Sequence, residues 1–144
     1  MDYIDFALKE AKKAFFKNEV PVGAVIVKNG KIIAKAHNKK IKYNDIFNHA
    51  EIIAIKKATK IIGDWRLNEC DMYVTLEPCP MCAGAIRESR IRKVYIGTYS
   101  NINSNTKIVD EIFNDNDYYH NVKYEYLNNK GCSDILSLFF ANKR

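Results

Sequence analysis

Val22-Gly23-Ala24-Val25-Ile26-Val27-Lys28, Asn29-Gly30, Lys31-Ile32-Ile33-Ala34-Lys35-Ala36-His37 is the stretch on which the fold turns. Two runs rich in β-branched residues flank an Asn-Gly pair. That dipeptide accepts the positive φ angles of a type I′ turn, so the segment predicts a β-hairpin. On its N-terminal side, Ile4, Ala7, Leu8, Ala11, Ala14 and Phe15 recur at helical spacing over residues 3 to 16. This predicts an amphipathic first helix. On the C-terminal side, a polar stretch from 38 to 48 reads as a loop leading into a helix that starts at His49-Ala50-Glu51 and ends before Gly63. A strand at Met72 to Leu76 follows, then a helix opened by Pro78-Cys79-Pro80. Proline suits that first turn because its nitrogen needs no helical partner. Beyond lie a strand at Lys93 to Gly97, a loop at Tyr99 to Asn105, a short helix near Lys107 to Phe113 and a strand at Val122 to Leu127. A last amphipathic helix carries Ile135, Leu136, Leu138, Phe139 and Phe140; of the adjacent phenylalanines one should pack and one should lie near a surface. Strands interleaved with helices, with crossover helices after the second and third strands, predict an α/β layered domain with a mixed sheet.

At 144 residues and 16.6 kDa the chain has the size of one domain, and we expect residues 1 to 144 to form it. A hydrophobic share of 47% with 12% aromatics sets it apart from disordered chains. The longest apolar runs, such as Ala24-Val25-Ile26-Val27, fall far short of the roughly 20 residues needed to cross a bilayer. Met1-Asp2-Tyr3-Ile4-Asp5 carries acids where a signal peptide needs bases, and no apolar segment follows. A cytoplasmic location with reduced thiols is therefore expected. The 23 Lys+Arg against 17 Asp+Glu give a net charge of +6, which suits a polyanion such as nucleic acid. Composition offers a second source for it, because 18 Lys, 18 Ile and 15 Asn against 5 Arg is the bias an AT-rich genome imposes on any protein. Chemistry must come from motifs.

The informative pair is His49-Ala50-Glu51 and Pro78-Cys79-Pro80-Met81-Cys82. Two cysteines three apart at a helix start share a face, and the positive end of the helix dipole favours their thiolates. With His49 from a second helix start they form a nitrogen-and-sulfur set that suits one Zn²⁺ and leaves a tetrahedral position open, as catalytic sites do. A closed structural site would need a fourth ligand from Cys70, Cys132, His37 or His120, and none stands in a second paired spacing. A thioredoxin-type dithiol would leave His49 and Glu51 idle. Cys70 and Cys132 read as packed thiols. Glu51 can serve the same site as His49 only if both lie in a first turn whose end faces the pocket. A carboxylate so placed can accept the proton of an attacking water and return protons to the substrate and its leaving group.

His-x-Glu followed by Pro-Cys-x-x-Cys is the signature of the zinc nucleobase deaminases. Together with Glu19-Val20-Pro21-Val22-Gly23-Ala24-Val25, Asn38, Val74-Thr75-Leu76-Glu77-Pro78-Cys79, Met81-Cys82-Ala83-Gly84-Ala85-Ile86, Ser89-Arg90-Ile91 and the ending Leu136-Ser137-Leu138-Phe139-Phe140, it makes the chain resemble the bacterial tRNA-specific adenosine deaminases of the cytidine/deoxycytidylate deaminase superfamily over nearly its whole length. The resemblance implies a three-layer α/β/α fold on a five-stranded mixed sheet. It implies a homodimer with active sites near the interface, and conversion of the wobble adenosine of tRNA to inosine. It implies one zinc per subunit on His49, Cys79 and Cys82, Glu51 as proton shuttle, and no organic cofactor. Asn38 matches a residue that bonds the substrate nucleoside, with a plain polar loop residue capping the second strand as the other reading. Val22 and Ala50 sit where the family lines the base pocket, although Val22 reads equally well as a core valine.

For contacts to an anticodon loop, the candidates are Lys39, Lys40, Tyr99, Ser100, Phe140, Lys143 and Arg144, with Lys42, Arg87 and Arg90 adding charge to the approach. One departure stands out: the family usually carries an Asp and then a Lys and a Gly-rich turn after the fourth strand, whereas this chain reads Thr98-Tyr99-Ser100-Asn101-Ile102-Asn103-Ser104-Asn105, with Ser100 at the Asp position. A deaminase of a free nucleobase or nucleoside, of the guanine or cytosine type, therefore stays open. A noncatalytic RNA-binding subunit would require loss of the proton shuttle, and Glu51 is present.

Overall fold

Asn29 and Gly30 both sit at positive φ, 52° and 75°, as a type I′ turn requires. They join β1 (Gly23–Lys28) to β2 (Lys31–His37), an antiparallel pair with one register shift between Ile26 and Val27. The computed structural model describes residues 2–100, 104–115 and 120–142. Its remaining strands are β3 (Cys70–Leu76), β4 (Lys93–Thr98) and β5 (Lys123–Tyr126), and the five-stranded sheet runs in the order β2-β1-β3-β4-β5. β1 is antiparallel to both its neighbours, whereas β3, β4 and β5 are parallel. The sheet is mixed, as the alternation of elements implied.

Helices cover both faces. Alternation along β1 sends Ala24 and Ile26 to one face, where they join α3 (Ala50–Ile62), α4 (Pro80–Glu88) and α5 (Thr106–Phe113) through Ala54, Ala58, Ile86, Val109 and Phe113. Val25 and Val27 point to the other face, against Ile4 and Ala7 of α1 (Tyr3–Phe16) and Cys132 of α6 (Lys130–Ala141). The result is the three-layer α/β/α arrangement. Cys70 and Cys132 are fully buried, the packed thiols expected of them. Among the described residues no helix is long and apolar enough to cross a membrane.

Several bounds differ from those expected. Residues 38 to 48 are not loop throughout, since Lys40–Tyr43 form a single helical turn, α2. The cause is remote in sequence: the buried carboxylate of Glu19 accepts from Ile41 N at 3.0 Å and Lys42 N at 2.8 Å, satisfying donors that a turn this short cannot. β3 begins at Cys70 rather than Met72 because Cys70 and Asp71 pair with Lys28 and Val27. β5 is one residue shorter at each end than expected.

Two features tie α1 to the hairpin. Gly23 admits no side chain, because a Cβ there would stand 2.0 Å from Ala7 O and 2.6 Å from Ala11 N. Beside it, His37 Nδ1 meets Glu10 Oε1 at 3.1 Å, and Lys13 Nζ meets Glu10 Oε2 at 2.6 Å. Burial pushes the His37 pKa down, and the neighbouring Lys17 and Lys39 push the same way against the opposing pull of Glu10. Burial raises Glu10, but its hydrogen bonds from Lys13 and His37 outweigh that and hold it below the ordinary carboxylate range. His37 is therefore neutral, donating from Nδ1. Its Nε2, which has no hydrogen-bond partner among the described residues, is then an unprotonated nitrogen rather than an orphaned N–H.

Gly23→Ala should lower stability by at least about 2 kcal/mol, because the added methyl meets backbone rather than a movable side chain; an unchanged urea midpoint would contradict the close approach. A depressed folded-state pKa at His37 means that the unfolded chain binds its proton first as pH falls through about 6.5. Stability should thus fall from pH 7 to pH 5, and His37→Gln should flatten that slope. Parallel pH profiles for the two proteins would rule out the neutral imidazole.

Candidate active site

α3 and α4 begin close together, and each carries a candidate metal ligand at its N-cap. His49 caps α3 with extended backbone, φ −78° and ψ 149°, and Cys79 caps α4 at φ −72° and ψ 169°. An N-cap side chain leaves the helix axis, so it can turn toward a neighbouring helix start. Cys82, in the first turn of α4, joins them. His49 Nδ1 lies 3.7 Å from Cys79 Sγ and 3.5 Å from Cys82 Sγ, and one ligand atom from each residue falls within 4.8 Å of the others. Zn–S and Zn–N bonds of about 2.3 and 2.0–2.1 Å at the tetrahedral angle set sulfur and nitrogen about 3.6 Å apart, so this donor set fits one zinc ion. The other two histidines are committed elsewhere, His37 to Glu10 and His120, through Nε2, to the carbonyl of Ile91.

Glu51 occupies the first turn of α3 and is 3% exposed. Burial disfavours its charged form and pushes its pKa up to about 7. Cys79 is pushed down to about 4, chiefly by the hydrogen bond from Cys82 and also by His49. Cys82 moves up, with Cys79 beside it as the largest cause, and the hydrogen bond to Cys79 raises His49. Three acids and one imidazole thus share few protons in a small volume, and the positive ends of two helix dipoles favour the anions. A divalent cation relieves this crowding by displacing thiol protons.

The site opens into a cavity of about 200 Å³. Of the residues picked out from sequence, Val22, Asn38, Lys40, His49, Glu51 and Cys79 line it. Val22 satisfies both readings, since it is a core residue and a wall of the cavity. Asn38 follows β2 directly, its N–H donating to Val22 O at 3.1 Å, and its Oδ1 accepts from Ala50 N at 2.8 Å at the start of α3. Ala50 is fully buried in the core and donates its backbone N–H to Asn38.

Of the candidate RNA contacts, Lys39, Tyr99, Ser100 and Phe140 stand outside the cavity wall. Tyr99 is exposed and lies edge-on to Tyr126, Ser100 donates its N–H to Glu77, and Phe140 is exposed while Phe139 packs. Lys143 and Arg144 lie outside the described residues. Arg87 and Arg90 do not flank the approach. They sit near the far end of α4, where Arg87 reaches Glu88 and Asp115, and Arg90 reaches Glu88 and the Trp65 ring. Sequence reasoning missed Val20, Leu76, Glu77 and Asn105 as cavity residues. Glu77 stood beside the metal motif, and its position before Pro78 was the one available signal.

Residues 1–98 match the cytidine and deoxycytidylate deaminase zinc-binding region, so the fold and the His-Cys-Cys group define a zinc-binding deaminase domain. A tRNA-specific adenosine deaminase of Aquifex aeolicus is 44% identical over 99% of this chain and 94% of its own. A structure from a study of A-to-I editing by tRNA:A34 deaminases at the wobble position of transfer RNA superposes with a TM-score of 0.86 at 37% identity, over 93% of this chain and 98% of that one. The guanine deaminase of Bacillus subtilis superposes at 0.67 with 31% identity, over 99% and 94% of the two chains. The chain belongs to the tRNA-specific adenosine deaminase family.

Cys82→Ala is expected to cut bound metal well below one ion per chain, whereas Cys132→Ala, on the opposite face of the sheet, should leave it unchanged. Atomic absorption on the two purified proteins decides it; equal metal content would remove Cys82 from the ligand set.

Proposed function

We propose that this chain, as one domain over residues 1–144, hydrolyses the wobble adenosine of a tRNA to inosine, with His49, Cys79 and Cys82 holding a single zinc ion and Glu51 moving protons. The observation that carries the reading is a buried carboxyl beside a three-ligand set at a cavity of about 200 Å³. Zinc, when bound, supplies the Lewis acidity that makes water nucleophilic near neutral pH.

Glu51 takes a proton from the attacking water and delivers it to the ring nitrogen next to the amino-bearing carbon. It then passes the second water proton to the departing amine, so that adenosine and water become inosine and ammonia. Val20, Val22 and Leu76 supply apolar walls for a base face, and Asn38, by pinning the start of α3, holds His49 and Glu51 in register. A base within a tRNA reaches such a site by being splayed out of its loop, which is how single-stranded RNA is read.

The substrate's backbone would then meet Lys39 and Lys40, with Tyr99, Ser100 and Phe140 on the exposed rim and Lys143 and Arg144 beyond the described residues. The net charge of +6 supports a phosphate partner, and family membership supports tRNA. We propose a cytoplasmic homodimer with one zinc per subunit. The 40–47 segment supports a covered face there, since Ile41, Ile46 and Phe47 are 66%, 63% and 54% exposed.

Inosine formation in an anticodon stem-loop, run beside ammonia release from free guanine, cytosine and their nucleosides, tests the reading. Inosine in the stem-loop is expected; activity on free bases alone would replace tRNA with a free-base substrate. Glu51→Ala should keep its zinc and lose about 10²- to 10⁴-fold or more in kcat. A variant near the normal rate would end the proton-shuttle role.

A further inference from the structure

Glu77 lines the cavity, yet its carboxylate is already spoken for. The residue is 3% exposed, and four donors converge on its two oxygens. Ser100 N at 3.2 Å and Asn105 N at 2.7 Å meet Oε1; Thr106 Oγ1 at 3.1 Å and the Tyr126 hydroxyl at 3.0 Å meet Oε2. A carboxylate offers about four lone-pair sites, so these donors use its capacity and leave little for a substrate. The donors come from the segment that follows β4, from the start of α5 and from β5, whereas Glu77 itself is bonded to Pro78 and stands two residues before Cys79. Its backbone N–H also meets Thr98 O at 2.9 Å. One buried side chain therefore ties the turn that carries a metal-ligating cysteine to Ser100, Asn105 and Thr106, of which Asn105 lines the cavity.

That segment delivers Asn105 to the cavity wall. Asn105 is the N-cap of α5, but its side chain makes no cap hydrogen bond; its carbonyl takes the N–H of Val109 at 2.8 Å, and its own N–H goes to Glu77. Its backbone is thus fixed at both ends while its carboxamide, a donor and an acceptor together, is not used to start the helix.

We propose that Glu77 is a positioning residue that sets Asn105 in the cavity wall, and that the Asn105 carboxamide selects the substrate by bonding to the polar edge of the bound nucleoside. This rests on the deaminase reading of the site. It gives Asn105 a task that does not depend on an aspartate at position 100.

The test is a double-mutant cycle read as KM and kcat on whichever substrate the unmodified zinc-loaded enzyme deaminates, the anticodon stem-loop or a free base. Asn105→Ala and Glu77→Ala should each raise KM by about tenfold, the loss of roughly one hydrogen bond, with kcat nearly unchanged. The double variant should be no worse than the poorer single, because both remove the same contact. Glu77→Gln should recover most of the KM, since its amide oxygen can accept from the two backbone N–H groups while its NH₂ donates to the two hydroxyls. Amide hydrogen exchange in chelator-treated protein reads the clamp without turnover. The Asn105 N–H should exchange faster in Glu77→Ala and slow again in Glu77→Gln.

Asn105→Ala at the normal KM, losses that simply add, or Glu77→Gln no better than Glu77→Ala would each overturn the proposal. If Glu77→Ala fails to fold, Asn105→Ala and Glu77→Gln still decide it. An unmodified enzyme that deaminates nothing would defeat the deaminase reading, and unchanged Asn105 exchange in the Glu77 variants would defeat the clamp.

Discussion

Everything at the site depends on two helices starting at one point. A helix start offers free N–H groups and a positive dipole end, and here two such ends face a cluster of thiols and a carboxyl. The sheet order makes the meeting possible. β1 and β3 are neighbours, α3 packs across β2 and β1, and α4 follows directly on β3. Because His49 and Cys79 are N-caps rather than helical residues, their side chains can approach to 3.7 Å, and Cys82 and Glu51 reach the same spot from the first turns. Without a cation the arrangement holds its acids at the cost of shifted protonation; with one, the same crowding becomes coordination.

Around this centre, polar side chains, two of them buried carboxylates, hold backbone N–H groups of other segments. Glu19 supports the turn at Ile41 and Lys42, Asn38 supports the start of α3, and Glu77 supports the segment after β4. All three residues belong to or adjoin elements that also line the cavity. A buried carboxylate left without donors would be costly, so the segments held by Glu19 and Glu77 are fixed as firmly as those acids are satisfied. The cavity walls are in this way built from loops that behave as parts of the scaffold.

What was legible in the sequence was what is local. Asn29-Gly30 announced its hairpin because the turn geometry is written in two residues, and the helical stripe of α1 needed no partner to be seen. The metal motif was equally plain, since Cys79 and Cys82 act through spacing along one helix. What stayed hidden were bonds made across the fold. α2 exists because Glu19 reaches 22 and 23 residues ahead, and the role of Glu77 needs Ser100, Asn105, Thr106 and Tyr126 brought to it by the sheet. Arg87 and Arg90 looked basic and close to the cysteines in sequence. Yet a helix rises about 1.5 Å per residue, which carries them roughly 10 Å or more from the helix start. The bond from Ala50 N to Asn38 Oδ1 is a backbone contact, which residue type cannot reveal.

The central claim is an open zinc site made by two helix starts, and X-ray absorption at the zinc edge of the purified protein tests it most directly. The account predicts two sulfur neighbours at about 2.3 Å and two lighter nitrogen or oxygen neighbours at about 2.0–2.1 Å, one from His49 and one from an exchangeable ligand. A first shell of three or four sulfurs, or one saturated by protein ligands alone, would contradict it.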